Sequence, residues 1–209
     1  MATIGETGTG GRSINPATWA CWGVFVLSCL VWGIAYLAGV PIKEMVRDPA
    51  SQFGIPIHAG AFSVTGIGVL AATAALAAVA VPDARGADRR APGLTAALGL
   101  VLAADDAFLL HDEIGPEIVG IPELAFYALY AAGGLWLYLT VRRHGPPTAR
   151  RALEVGGYFL AFSVLLDVFK VHGPFSFWLE DFTKLAGFVG LLCYAVIHAR
   201  AVLRGGVSR

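Results

Sequence analysis

Charged residues are scarce in this chain. Only 14% of its 209 residues are charged, whereas 56% are hydrophobic. Soluble domains carry about 25% charged residues, so the composition excludes an ordinary soluble domain. The few basic residues lie beside apolar runs with no aromatic residues interleaved among them. This arrangement argues against a nucleic-acid partner and favours contact with membrane lipid.

Cysteine is scarcer still, with three residues in the chain. The three cysteines, Cys21, Cys29 and Cys193, all fall within apolar runs, and none belongs to a Cys-x-x-Cys pair. This pattern excludes a disulfide framework, a zinc ribbon and a dithiol redox motif. The cysteines are predicted to be small core residues.

The apolar residues are gathered into six long runs. Each run holds the roughly twenty residues that a helix needs to cross about 30 Å of hydrocarbon. Alternating polarity, the mark of a barrel strand, is absent from 71–81. The sequence therefore predicts an all-α integral membrane protein, a six-transmembrane-helix bundle with spans at 18–40, 59–81, 92–110, 122–141, 153–171 and 180–199.

The basic residues predict the orientation of these spans. The tails and even-numbered loops carry eleven arginines, whereas the odd-numbered loops carry only Lys43 and Arg47. By the positive-inside rule both termini are cytoplasmic, in a plasma or bacterial-type inner membrane. Residues 1–16 lack the apolar run of a signal peptide and are predicted to be a disordered tail. Residues 17–204 form the membrane domain, and 205–209 form a second cytoplasmic tail.

The acidic and histidine residues gather at the opposite, outer ends of the last four spans. Asp106 and Asp167 lie inside apolar runs, where an ionised side chain costs about 2.5–3.5 kcal/mol on insertion scales. Such carboxylates are expected to face the bundle interior and to be neutral or paired with a cation. Lys184, four residues after Glu180, is predicted to be such a partner.

An internal repeat links these polar residues. Asp106 and His111 share the spacing Asp-x-Phe-x-x-His with Asp167 and His172. Both copies run outward and back, which predicts three helical hairpins, the last two a parallel pseudo-repeat with its axis along the membrane normal. Five residues put Asp and His about 140° apart on an ideal helix, so convergence requires the helix to unwind near His111.

A metal site is the sharpest hypothesis for this set. Repeated Glu and His ligands in a bundle core can hold zinc, iron, copper or manganese. The predicted ligands are Asp106, His111, Glu123, Asp167, His172 and Glu180, and the predicted ion-pair or proton-relay residues are Asp105, Asp181 and Lys184. The simpler alternative is that Glu123, Glu180 and Asp181 only favour helix N-termini.

Three functional classes remain open from the sequence. A metal-dependent membrane enzyme would act on a lipid or another membrane-soluble molecule. A proton- or cation-coupled transporter would use Asp105, Asp106 and Asp167 as intramembrane carboxylates, with Lys184 as a gate. A non-catalytic subunit or scaffold would use the same polar residues to join its helices.

Overall fold

The computed structural model describes residues 26, 29–30, 33–34, 36–39, 61–84, 89–169 and 174–205. The chain divides into two compact units, Met1–Ala59 and Gly60–Arg209. In the first unit the described residues are helical up to Leu37, with a turn at residues 38–39. The rest of the predicted span 18–40, the predicted tail 1–16 and the loop containing Lys43 lie outside the described residues.

The second unit is helical in the part that the structure describes. Its five α-helices follow the predicted runs with shifts of up to six residues at their ends, and one π-helix lies in the predicted loop between 92–110 and 122–141. They are α1 (Ala61–Ala80), α2 (Arg90–Phe108), a π-helix (Leu110–Val119), α3 (Glu123–His144), α4 (Pro147–Val168) and α5 (Pro174–Leu203).

Among the described residues, four helices are long and apolar enough to cross a membrane. They are α1, α2, α3 and the Leu179–Leu203 part of α5. α4 has a similar length but is more polar, because it carries Arg150, Arg151, Glu154 and Asp167. The described part of the protein is therefore helical and membrane-like, with four such helices; most of the predicted span 18–40 lies outside it.

Glycines hold α4 and α5 close together. A Cβ atom built on Gly190 of α5 would lie only 2.4 Å from the Cα atom of Gly156 on α4. In lipid, where apolar burial between helices contributes little, small residues allow the close backbone contact that stabilises a helix pair. This contact fixes the position of α4, which carries Asp167, against α5, which carries Lys184.

α2 ends abruptly just before His111. Leu109 adopts the left-handed conformation (φ 52°, ψ 45°), and its N–H donates to the carbonyl of Asp105. The following π-helix contains Pro116, which cannot donate a backbone hydrogen bond. The local break that convergence requires is thus present at Leu109, and it turns His111 back towards the end of α2.

The outer faces of α3 and α4 carry large apolar side chains. Leu124, Trp136, Val155 and Phe162 are all exposed. Exposed apolar surface on such a scale is typical of a lipid-facing or partner-facing helix. It agrees with the apolar composition of these runs.

Candidate metal centre

His111 is held by a single carboxylate through two of its groups. Its backbone N–H donates to Oδ1 of Asp105 over 2.9 Å, and its Nδ1 lies 2.7 Å from Oδ2 of the same carboxylate. Both residues are buried. Because the Asp105 carboxylate contacts both the backbone N–H and the ring of His111, the end of α2 determines the orientation of the imidazole.

This contact also controls the charge of His111. Burial by itself would lower the pKa of His111, but the hydrogen bond and the negative charge of Asp105 raise the pKa above its ordinary value of 6.5. Asp112 adds to the effect, since its Oδ1 lies 3.3 Å from Nε2 of the ring. The site therefore attracts positive charge at the imidazole, whether it comes from a proton or from a cation.

Tyr127 of α3 joins two other carboxylates of the site. Its hydroxyl lies 2.9 Å from Oε1 of Glu123, one helical turn earlier. It also makes a short hydrogen bond to Oδ2 of Asp167 on α4. The Tyr127 ring lies against His111, with ring centroids 5.3 Å apart. The Tyr127 side chain thus contacts Glu123, Asp167 and His111.

His111, Glu123 and Asp167 form the candidate metal centre. Each offers one ligand atom, and these atoms lie within 4.8 Å of one another. The three residues come from the π-helix, the first turn of α3 and the last turn of α4. They are therefore brought together only by tertiary packing.

The Tyr127 hydroxyl cannot donate a hydrogen bond to both of its carboxylate neighbours at once. Tyr127 has one hydroxyl proton to offer to two carboxylates, and a hydroxyl can donate only one hydrogen bond. The second carboxylate contact is favourable if a proton or a cation lies between the oxygens. One imidazole and two carboxylates are a ligand set that suits divalent transition metals.

Asp106 forms an ion pair with Lys184 rather than with His111. Its Oδ1 is 2.5 Å from Nζ of Lys184 on α5, and its side chain is only 8% exposed. Neighbours on a helix point about 100° apart, so Asp105 and Asp106 have different partners. The motif that joined Asp106 to His111 in the sequence is therefore split: Asp105 contacts His111, and Asp106 contacts Lys184.

The remaining predicted residues are dispersed. Glu180 is half-buried and lines the same cavity as the centre, whereas Asp181 is exposed on α5. His172 lies outside the described residues. Ligand roles for Asp106, Glu180 and His172 stay predictions.

A large cavity extends from the centre, lined by residues of α2, α3, α4 and α5. Its volume is about 850 Å³, within the range of about 300–1,000 Å³ that is usual for small-molecule sites. Its polar residues include Asp105, His111, Asp167 and Lys184, and most of the other lining residues are apolar. The centre thus lies in the wall of an apolar chamber.

The far end of this chamber has its own polar contact. The hydroxyl of Tyr138 on α3 donates to Oε1 of Glu154 on α4 over 3.1 Å. Nε of Arg150 lies 3.6 Å from the same oxygen. Tyr138 and Glu154 both line the cavity, so polar side chains lie at both of its ends.

Sequence reasoning missed Tyr127, Tyr138 and Glu154. A signal for Tyr127 was available, since it lies four residues after Glu123 on the same face of α3. For Tyr138 and Glu154 the sequence offers no comparable signal, because their pairing depends on which faces of α3 and α4 meet.

Residues 20–199 match a family model described as "Domain of unknown function (DUF8692)". No curated protein and no solved structure matches the chain.

Proposed function

The chain belongs to the DUF8692 family, and we propose that it is a helical membrane protein that binds a divalent metal ion through His111, Glu123 and Asp167. One observation carries this proposal: the ligand atoms of the three residues lie within 4.8 Å of one another. They do so in the wall of an apolar chamber. Catalytic metal sites commonly use three protein ligands and leave a position open.

The surroundings of His111 support this assignment. Metal-binding histidines usually donate their second ring N–H to a carboxylate, which fixes the tautomer. Asp105 is placed to accept from Nδ1 of His111, which leaves Nε2 for the ion. Zinc, iron, copper and manganese all accept such ligands.

We propose that the activity is enzymatic and acts on a lipid or another membrane-soluble molecule. A bound divalent ion polarises a carbonyl or activates water. The largely apolar lining of the chamber beside the ligands suits a lipophilic substrate. Tyr127 orients the Glu123 and Asp167 carboxylates, and Lys184 balances the charge of Asp106.

Metal analysis of the purified protein tests the proposal. We expect one divalent ion per chain in the wild type and loss of that ion in His111→Ala and Asp167→Asn. His144→Ala and Glu117→Gln are matched controls, because both residues are exposed outside the cavity lining. A wild type that takes up no stoichiometric metal under anaerobic reconstitution would falsify the metal site and favour the scaffold role.

A proton- or cation-coupled transporter is the second candidate. It is supported by the carboxylates at both ends of the chamber, Asp167 near one end and Glu154 near the other. Flux measured in liposomes tests it. Transport predicts a proton or cation current that both Asp167→Asn and Glu154→Gln abolish, whereas an enzyme predicts no current in either the wild type or the variants.

We also propose the topology that the basic residues predict: six spans in three outward hairpins, with both termini cytoplasmic. The last two hairpins would be copies, α2 with α3 and α4 with α5. Reporter fusions at Gly115 and Pro146 test this topology, because these residues lie at opposite ends of α3. Fusions that report the same side would contradict it.

A further inference from the structure

The α3 and α4 walls of the chamber have the same arrangement. The α3 residues that line it include one series spaced by four, three and four: Tyr127, Ala131, Gly134 and Tyr138. The α4 residues that line it include a series spaced by three, four, three and three: Glu154, Gly157, Ala161, Val164 and Asp167. These spacings each describe one face of a helix. Each series is polar at its two ends and small or apolar between them.

Two tyrosine bridges join the walls at the polar ends. Tyr127 donates to Asp167 at the metal end, and Tyr138 donates to Glu154 at the far end. The two tyrosines are eleven residues apart, which corresponds to about 16 Å along α3 at 1.5 Å per residue. Most of the residues that line the cavity between the bridges are apolar or glycine.

Glycines keep this space open. α3 contains the pair Gly133 and Gly134, and α4 contains the pair Gly156 and Gly157. One member of each pair packs against a neighbouring helix: a Cβ on Gly133 would meet Leu98, and a Cβ on Gly156 would meet Gly190. The other member, Gly134 or Gly157, faces the chamber, and a Cβ there would meet no atom within 4 Å. Glycine at these two sites therefore leaves the middle of the chamber empty.

We infer that this chamber holds one single-chain lipid with an uncharged headgroup, such as a fatty alcohol or a monoacyl ester. The chain lies between the bridges along Gly134 and Gly157, and the headgroup lies at His111, Glu123 and Asp167. A length of about 16 Å and an apolar wall suit an extended acyl chain better than a compact ligand.

The charges at the metal end disfavour an anionic headgroup. Asp105 is paired with His111, and Asp106 is paired with Lys184. Three further carboxylates, Asp112, Asp167 and Glu180, line this end, and Glu123 adjoins it. Four carboxylates exceed the charge of one divalent ion. This net negative charge would repel an anionic headgroup, whereas an uncharged alcohol or ester would not be repelled.

This inference rests on the proposed function for the headgroup position, but the chain-binding part does not require metal. The test uses full-length protein in phosphatidylcholine nanodiscs and a photoreactive tetradecanol with a diazirine at mid-chain. Adducts are mapped by mass spectrometry, and the metal content of the same samples is measured. Unlabelled tetradecanol and tetradecyl phosphate are the competitors, since they share a chain and differ in charge.

We expect adducts on chamber residues of α3 and α4, several-fold weaker in Gly134→Leu and Gly157→Leu, whose new side chains fill the space. Gly68→Leu is the matched control, because it is an exposed helical glycine outside the lining, with no atom within 4 Å of a Cβ. Ala161→Leu is a second variant that fills the chamber without replacing a glycine. Thermal unfolding shows which variants are folded.

The outcomes separate the two proposals. Equal labelling of the control and all chamber-filling variants overturns the lipid chamber, since the probe would then lie on outer faces. Competition by tetradecyl phosphate as strong as that by tetradecanol overturns the uncharged headgroup. Chamber-specific adducts in a protein without metal sustain the chamber and overturn the metal centre.

Discussion

Tyr127 on α3 donates a hydrogen bond to Asp167 on α4, forty positions further along the chain. The same hydroxyl contacts Glu123, so the positions of two predicted metal ligands depend on one phenol. Tyr127 itself is not a ligand in our proposal. It is a positioning residue.

Tyr127→Phe is expected to weaken metal binding by roughly 10–100-fold, the usual effect of removing a group that orients a ligand. The ring remains, so packing against His111 is preserved. Isothermal titration with a divalent metal measures the change. Tyr36→Phe is the control, because the Tyr36 side chain is largely exposed and does not line the cavity, so the substitution should not alter affinity. Unchanged affinity in Tyr127→Phe would show that the phenol does not orient the carboxylates.

The pair of His111 and Asp105 should make metal-free protein more stable in acid. Because the pKa of His111 is raised on folding, the charged pair contributes its full stability below about pH 6.5, and the contribution is lost as the pH rises through the folded pKa. In Asp105→Asn the ring stays buried without its partner, so its pKa should fall and the acid-side gain should disappear.

The measurement is the unfolding free energy of metal-free protein from about pH 5 to about pH 9. His144→Ala, at the exposed end of α3, is expected to keep the wild-type profile. An Asp105→Asn profile that matches the wild type would rule out this pair as its source.

Lys184→Gln is expected to destabilise the protein by about 3 kcal/mol, because it leaves the buried Asp106 carboxylate without its partner. Adding Asp106→Asn removes the unpaired charge and should restore much of this loss. A double-mutant cycle on unfolding free energies measures the coupling. Additive effects of the two substitutions would mean that the ion pair contributes nothing beyond its parts.

Gly115→Ala should disrupt the π-helix that carries His111. A Cβ at this position would lie 2.3 Å from Cε2 of Phe126 and 2.6 Å from the carbonyl oxygen of Leu110, too close for either group to remain in place. Loss of both thermal stability and metal affinity is expected. Gly93→Ala, where a Cβ meets no atom within 4 Å, is the matched control. A Gly115→Ala protein that binds metal normally would show that the π-helix does not position His111.

The apolar runs determine the helices of this protein without help from tertiary structure. Run length and scarcity of charge are local properties, and an apolar segment in lipid satisfies its backbone hydrogen bonds only as a helix. α1, α2, α3 and α5 therefore begin and end within a few residues of the predicted runs, apart from the early start of α5. The predicted hairpins and repeat stay predictions.

The partners of the polar residues were decided by tertiary structure alone. Asp105 and Asp106 are adjacent in sequence and equally acidic, yet one contacts His111 and the other contacts Lys184. The reason is geometric: successive side chains on a helix point about 100° apart, and only packing decides which neighbour each one meets. The sequence by itself determined which residues are polar and near which helix end they lie. The break at Leu109 and the meeting of α3 with α4 decided that His111, Glu123 and Asp167 converge.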